Sequence, residues 1–261
     1  RSYSGVKIPF DDNLAQKFVA ELDFPLTDAQ RKVVWRIYQD FEKSQPMNRL
    51  VEGDVGSGKT VVAAMSAVMA MAEGYQVAVM APTEILARQH ADTMHRLLHP
   101  LGMSQRVVLL VGSMKEAQKQ KARQSFADGS GGLLIGTHAL ITDKVDMHHL
   151  GLVVIDEQHR FGVEQREKLL AKAGKMPHLL SMTATPIPRT LALTLYGELD
   201  ISILDQMPPG RTPINTKIVS PNSRKPMIDH IKAELDQGRQ AFVVCPLITE
   251  SDHLPRLSAE S

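Results

Sequence analysis

The sequence predicts an α/β fold, in which a parallel sheet is covered by helices on both faces. Six short apolar runs carry this prediction, and most of them are separated by longer stretches of helical character. The runs are RLV from position 49, VAVMA from 77, VVLLV from 107, LLIG from 133, LVVI from 152 and LLSM from 179. Unbroken runs of β-branched and aliphatic residues are typical of parallel strands buried on both faces.

Two of the predicted helices lie in the first part of the chain. Thr27 and Gln30 have capping-box spacing, and the apolar residues at 33, 34, 37 and 41 fall on one side of the helix that follows. The stretch from Val61 to Ala72 is apolar on every side, which is typical of a helix buried in the core.

A third helix is predicted within positions 113–129. Ser113 and Glu116 have the spacing of a capping box, and Gly129 can end the helix. Its lysines are interpreted as a solvated face.

A second unit is expected after a proline-rich linker. The segment QMPPGRTP, positions 206–213, holds three prolines and one glycine, which neither a helix interior nor a central strand accommodates. We therefore predict a connecting segment at 1–25, a first domain at 26–205, a linker at 206–216 and the start of a second α/β domain at 217–261.

The second unit is predicted to contain one helix and one buried strand. The helix is expected from Lys225 to Asp236, and the strand is the run AFVVC from Ala241. About fifty residues bury too little surface for a complete α/β domain, so we expect an incomplete one.

Composition excludes some classes of protein without selecting one. The 261 residues are 43% hydrophobic, and 30 basic against 29 acidic residues leave a net charge of +1, which neither requires nor excludes a polyanionic partner. The single cysteine, Cys245, cannot form an internal disulfide, so we expect a reducing, cytoplasmic location. The longest nearly uncharged apolar stretch, 61–72, is shorter than the roughly 18 residues that suggest a membrane span.

The segment GDVGSGKT fits the phosphate-loop pattern G-x-x-x-x-G-K-[ST]. It follows a predicted strand and precedes a predicted helix, so backbone N–H groups and the helix dipole can face phosphate oxygens. Lys59 is expected to reach the β and γ phosphates, and the Thr60 hydroxyl to ligate Mg²⁺. The predicted nucleotide-binding residues of this loop are Gly53, Asp54, Val55, Gly56, Ser57, Gly58, Lys59 and Thr60. The alternative is a glycine-rich turn without a ligand.

Two carboxylates follow the fifth apolar run. Asp156 ends the predicted strand, where it can reach the shell of a nucleotide-bound Mg²⁺ from a rigid position. Glu157 can then orient or deprotonate the attacking water. The alternative is that these carboxylates cap the next helix.

The segment DEQHRFG at 156 resembles motif II of the superfamily 2 helicases, and in full it is similar to the RecG branch, the ATP-dependent DNA helicases that remodel branched DNA. Other segments resemble this branch in the same order, namely PLTDAQ at 25, MAPTEILARQH at 80, GTHAL at 136, MTATPIPRT at 182 and PPGRTP at 208. The resemblance covers nearly the whole chain. It implies a RecA-like sheet, ATP and Mg²⁺ as cofactors, and DNA as a partner recognised without sequence specificity.

The resemblance also implies roles for residues in the central motifs. Gln158 and His159 resemble the pair that senses the γ-phosphate. Thr183, Ala184 and Thr185 resemble the motif that links hydrolysis to domain movement, although a plain strand end turned by prolines is the alternative. The roles of Arg160 and Phe161 stay open. One interpretation is a salt bridge and core packing, and the other is contact with the partner domain.

A third set of residues resembles segments that touch the nucleic-acid backbone. These residues are Pro82, Thr83, Arg88, Gly136, Thr137 and His138. Such contacts use N–H groups, hydroxyls and cations. A purely structural role is the alternative for each.

Gln30 resembles the glutamine that reads adenine in these helicases, but its amide is also the capping-box partner of Thr27. The two roles compete for one side chain, and we favour adenine reading.

The sequence therefore predicts the core of an ATP-dependent DNA helicase or translocase that remodels branched DNA in repair and recombination. The alternatives are a transcription-repair coupling translocase, or a nucleotide-dependent DNA-binding module with little turnover. No segment after Gly210 resembles the arginine motif that supplies a finger to the γ-phosphate, so we expect slow hydrolysis from these residues alone.

Overall fold

The computed structural model describes residues 4–137, 145, 149–156, 175–185, 199–208 and 215–244. The chain divides into two compact units, Arg1–Arg211 and Thr212–Ser261. The boundary falls within the predicted linker at 206–216.

The first unit is built on a seven-stranded sheet in which every neighbouring pair is parallel. The strands are β1 (Asn48–Gly53), β2 (Gln76–Ala81), β3 (Val107–Leu110), β4 (Leu133–Thr137), β5 (Leu150–Asp156), β6 (His178–Thr183) and β7 (Asp200–Leu204). Their order across the sheet is β3-β4-β2-β5-β6-β1-β7. The first six strands confirm the six predicted runs. Because all strands run in one direction, all their carboxyl ends lie at one edge of the sheet.

The edge strand β7 was not among the predicted strands. Its sequence, DISIL, mixes polar and apolar residues, and only Ser202 and Leu204 are buried. Among the described strands it pairs only with β1, so it lies at the edge of the sheet, where an unbroken apolar run is not required.

Helices pack on both faces of this sheet. Among the described residues of the first unit, the helices are α1 (Asp12–Ala20), α2 (Asp28–Phe41), α3 (Lys59–Ala72), α4 (Glu84–Leu98) and α5 (Glu116–Ala127). Every residue of α3 from Val61 to Met71 is buried, which confirms the predicted core helix. In α2 the predicted capping box is formed.

The predicted start of α5 is wrong, whereas its predicted end is confirmed. Lys115, not Ser113, is the residue before the first turn, and its N–H donates to Oε1 of Gln118 (3.2 Å). The Ser113 hydroxyl donates instead to the carboxylate of Glu84, because that acceptor comes within reach from α4. Gly129 follows the helix with φ of +81°, as a terminating glycine should.

Buried polar contacts fix the amino ends of the central strands. Nδ1 of His178 accepts from the Met47 N–H (2.9 Å), and Nε2 donates to the Val6 carbonyl (2.7 Å). Burial dominates and lowers the pKa of His178 from 6.5 to about 4, so the ring is neutral near pH 7. Arg49 of β1 donates to Asp40 of α2 (2.9 Å), which ties the helix to the strand that leads into the phosphate loop.

The second unit contains α6 (Arg224–Asp236), which confirms the predicted helix. The buried strand predicted from Ala241 is wrong for the residues that the structure describes. Phe242, Val243 and Val244 have no strand assignment and are between 81% and 90% exposed. The described residues of this unit offer no neighbouring strand with which the run could pair.

No helix in the described ranges is long and apolar enough to cross a membrane.

Candidate functional site

The predicted phosphate loop joins the end of β1 to the start of α3. Strand β1 ends at Gly53, and α3 begins at Lys59. Gly56 and Gly58 take φ values of +81° and +87°, in the left-handed region that favours glycine. The loop therefore leads directly into the amino end of a buried helix, where N–H groups and the helix dipole attract anions.

Two glycines of the loop are also required by close contacts. A Cβ on Gly58 would lie 2.0 Å from Nε2 of Gln30. A Cβ on Gly53 would lie 2.5 Å from Oγ of Ser57 and 2.9 Å from Cβ of Leu204. The loop thus packs its backbone against its surroundings at both ends, with no room for side chains.

Gln30 supports the loop from α2, and both ends of its amide are engaged. The side-chain Oε1 of Gln30 accepts from the Thr27 backbone N–H (2.9 Å), and the backbone N–H of Gln30 donates to the Thr27 hydroxyl (3.1 Å). Its Nε2 donates to the Ser57 carbonyl (2.9 Å), and the residue is 1% exposed. The capping alternative is therefore formed and is joined by a contact that the sequence did not predict. Adenine reading by this amide stays a prediction.

Lys59 lies at the mouth of the loop. Its ammonium donates to the carbonyls of Gly53 and Asp54, the latter at 2.9 Å. Asp54 and Val55 are exposed, whereas Ser57 is buried. Oγ of Ser57 has no hydrogen-bond partner among the described residues. A loop with glycines at its tight points, a lysine ammonium at its mouth and a buried hydroxyl without a described partner fits a bound polyphosphate.

Asp156 is the last residue of β5, and β6 alone separates β5 from β1. Since adjacent strands lie about 4.8 Å apart, the Asp156 backbone is about 10 Å across the sheet from β1, which leads into the loop. A triphosphate with its Mg²⁺ can span that distance. Oδ2 of Asp156 accepts from Nε2 of His90 on α4 (2.7 Å).

The residues predicted to hold Mg²⁺ are Asp156 and Thr60. No cluster of three or more His, Cys, Asp and Glu side chains that could hold a metal occurs in the residues that are described. Mg²⁺ is usually bound by one or two carboxylates together with substrate phosphates. Asp156, with the Thr60 hydroxyl at the start of α3, is a donor set of that kind.

The predicted coupling residues lie at the end of β6, next to the loop. Glu52 of β1 is in register with Thr183, the last residue of β6. The Thr183 hydroxyl accepts from the Thr185 N–H (3.1 Å), which turns the chain. Ala184 lines a cavity of about 180 Å³ together with Gly53 and Asp54. The two segments therefore share one surface.

The described residues of the predicted nucleic-acid set lie at the ends of β2 and β4. Register pairs Met80 with Gly136 and Ala81 with Thr137, so Pro82 and Thr83 follow β2 directly after the last paired residue. Thr83 caps α4 and is exposed, whereas Gly136 is buried. Any contact that Gly136 makes with a ligand must therefore use its backbone.

Arg88 is exposed on the first half of α4. Its guanidinium donates to Glu84 (3.1 Å) and to the Ser113 hydroxyl (2.8 Å). Hydrogen bonds from Ser113 and Arg88 lower the pKa of the Glu84 carboxyl. An anionic ligand would therefore meet an arginine whose charge is partly offset by its neighbour.

Several predicted functional residues lie outside the described residues. They are His138, Glu157, Gln158, His159, Arg160 and Phe161. Their roles stay predictions.

His90 is the site residue that sequence reasoning missed. A signal was present, since the buried residues Ala87, Ala91 and Met94 define one face of α4 and His90 falls on that face. A polar residue on a buried helical face needs a partner, and this one finds the carboxylate of Asp156.

The sequence pattern of the DEAD/DEAH box helicase family matches residues 27–194. The chain is 53% identical to the ATP-dependent DNA helicase RecG of Synechocystis sp., over 92% of this chain and 29% of that protein. It is 48% identical to the RecG helicase of Bacillus subtilis, over 96% of this chain and 36% of that protein. The chain thus spans about a third of the length of these relatives.

Solved structures show the same architecture. A structure of RecG bound to a three-way DNA junction matches 94% of this chain and 32% of its own, with a TM-score of 0.78 and 41% identity. The DEAD-box helicase Mss116 bound to ssRNA and UDP-BeF matches 87% of this chain and 51% of its own, with a TM-score of 0.66. At 19% identity, the second likeness shows the fold alone.

Proposed function

The chain belongs to the DEAD/DEAH box helicase family, and on this premise we propose that it is the ATP-hydrolysing core of a RecG-type helicase that remodels branched DNA in the cytoplasm. The proposed processes are DNA repair and recombination. The observation that carries the proposal is the arrangement at the carboxyl edge of the sheet. A phosphate loop, a strand-end Asp156 and the turn after Thr183 follow the neighbouring strands β1, β5 and β6.

Nucleotide binding would begin with a change at Lys59. Its ammonium now rests on carbonyls of the loop, and phosphate oxygens would replace these neutral acceptors with charged ones. An ammonium attracts a negatively charged oxygen more strongly than a neutral one, so the exchange favours the bound state. The N–H groups at the start of α3 would complete the cradle.

Hydrolysis would depend on the division of labour between two adjacent carboxylates. Asp156 and the Thr60 hydroxyl would hold Mg²⁺, which neutralises charge on the phosphates when it is bound. Glu157 would orient the attacking water and accept its proton. Gln158 and His159 would sense the γ-phosphate.

Nucleic acid would bind on the β2 and β4 side of the same edge. Thr83 offers a hydroxyl and Arg88 a cation, and Gly136 and Thr137 end the neighbouring strand β4. All these groups recognise phosphates and sugars rather than base edges, so binding would not depend on sequence. Thr183, Ala184 and Thr185 would couple hydrolysis to movement.

Gln30 would contribute to adenine recognition only through the hydrogen-bonding capacity that its present contacts do not use. The amide oxygen has a second lone pair and the amide nitrogen a second hydrogen. Adenine reading would therefore be added to the cap and the loop contact, without replacing either.

The relatives favour the RecG reading over a transcription-repair coupling translocase, because those at 47–53% identity carry the RecG name. The decisive experiment measures ATP hydrolysis without DNA, with linear duplex and with forked DNA, both for these 261 residues and for a protein of the full length of the RecG relatives. We expect forked DNA to stimulate the longer protein most, whereas these residues alone should hydrolyse ATP slowly. Equal rates in all three conditions would contradict the proposal, and nucleotide-dependent DNA binding without turnover would support the binding module instead.

A further inference from the structure

One hydrogen bond joins helix α4, which carries predicted nucleic-acid residues, to Asp156 at the end of β5. His90 on α4 donates from Nε2 to Oδ2 of Asp156 (2.7 Å). The two side chains are only 12% and 13% exposed, so water competes little for the bond. Because a carboxylate can only accept, Nε2 carries the hydrogen, and Oδ1 of Asp156 is left for the metal shell.

The position of His90 makes this contact a link between strands. Helix α4 begins directly after β2 with Thr83 as its cap, and it packs against β2, β3 and β4. Small residues, Ala87 and Ala91, form its buried face and let the helix lie close to the sheet. From that face, His90 reaches sideways to the end of β5.

We propose that His90 is a positioning residue that orients the Asp156 carboxylate for Mg²⁺ and transmits nucleic-acid contact from α4 to it. This inference rests on the proposed function. The same helix carries Thr83 and Arg88, two of the proposed nucleic-acid contacts, at its first turns. A ligand that shifts α4 would therefore move a hydrogen-bond donor to the carboxylate that holds the metal.

Physical chemistry gives the size of the effect. Groups that hydrogen-bond to a metal ligand fix its orientation, and their loss typically weakens metal affinity by about 10 to 100-fold. If the hydrogen bond only held α4 against β5, its loss would lower stability without changing the response to Mg²⁺. The two roles are therefore separable by measurement.

The test is a Mg²⁺ titration of binding of a fluorescent, non-hydrolysable ATP analogue to the full chain. His90→Phe keeps an aromatic ring and removes the donor, whereas His90→Gln keeps an N–H close to the position of Nε2. His95→Phe, an exposed site on the same helix, is the matched control. Thermal unfolding of each variant is recorded in parallel.

We expect His90→Phe to raise the Mg²⁺ midpoint by about 10 to 100-fold, with His90→Gln and His95→Phe close to the wild type. A wild-type Mg²⁺ midpoint in His90→Phe would overturn the inference. The inference would also fail if His90→Phe and His90→Gln lost melting temperature and Mg²⁺ response to the same extent as each other. If the wild-type chain shows no Mg²⁺-dependent nucleotide binding, the proposed function itself fails.

A second arm tests transmission from α4. Forked DNA should lower the Mg²⁺ midpoint of the wild type and of His95→Phe if DNA bound at α4 holds the His90 donor on Asp156, and Mg²⁺ should then tighten DNA binding by the same factor. The same DNA should have little effect on the midpoint of His90→Phe. An undiminished DNA effect in His90→Phe would show that the link does not run through this side chain.

Discussion

Replacement of Gly58 by alanine should damage the phosphate loop in two separable ways. Its φ of +87° is strained for any residue with a Cβ, and that Cβ would lie 2.0 Å from Nε2 of Gln30. The Gln30 amide would have to move, and it would lose its bond to the buried Ser57 carbonyl and its place in the α2 cap.

The expected cost follows from these contacts. The left-handed conformation costs an alanine about 1–2 kcal/mol. A buried carbonyl left without its donor costs about 1–3 kcal/mol, and a weakened cap costs about 1 kcal/mol. We therefore expect Gly58→Ala to lower the free energy of unfolding by about 3–6 kcal/mol, with nucleotide affinity reduced as well.

Gly74→Ala is the matched control. Gly74 has a similar φ of +81°, but no atom lies within 4 Å of the Cβ position, so only the conformational cost of about 1–2 kcal/mol applies. In a Gln30→Ala background, which removes the clashing amide, the loss of unfolding free energy caused by Gly58→Ala should fall to the loss caused by Gly74→Ala. Urea unfolding of the four variants measures these differences. Equal costs for Gly58→Ala and Gly74→Ala in the wild-type background would refute the reasoning.

Two further predictions concern chemistry and pH. Glu157→Gln should keep Mg²⁺-ATP bound yet slow hydrolysis strongly, whereas Asp156→Asn should also weaken the Mg²⁺ dependence of binding; equal binding losses would contradict this division. Because burial lowers the pKa of His178 from 6.5 to about 4, the unfolded chain takes up its proton first, and stability is lost as the pH falls through that window. The loss should approach about 3 kcal/mol at pH 4, and His178→Gln should flatten the curve of unfolding free energy against pH, whereas His95→Gln should not.

The sequence predicted those features that depend on local pattern. The six buried strands have unbroken apolar runs because helices cover both their faces, and the phosphate loop has glycines where the backbone demands them. Thr27 and Gln30 sit three residues apart, so their cap was readable as well.

Features that depend on partners distant in sequence were missed or mistaken. His90 and Asp156 are separated by 66 positions, and no spacing rule relates them. Ser113 was assigned to its own helix because Glu84, its true partner, comes from α4. Phe242 and its neighbours read as a buried strand because composition reports apolar character without reporting whether a pairing strand is present.

The central claim is that the loop from Gly53 to Thr60 binds the phosphates of Mg²⁺-ATP. Isothermal titration calorimetry of Mg²⁺-ATP binding to the full chain tests it most directly, with Lys59→Ala compared with Lys121→Ala, an exposed lysine on α5. Loss of the charge-assisted contact should cost Lys59→Ala about 1.5–3 kcal/mol, or roughly 10 to 150-fold in affinity, while Lys121→Ala should bind like the wild type. Unchanged affinity in Lys59→Ala would contradict the assignment of the loop.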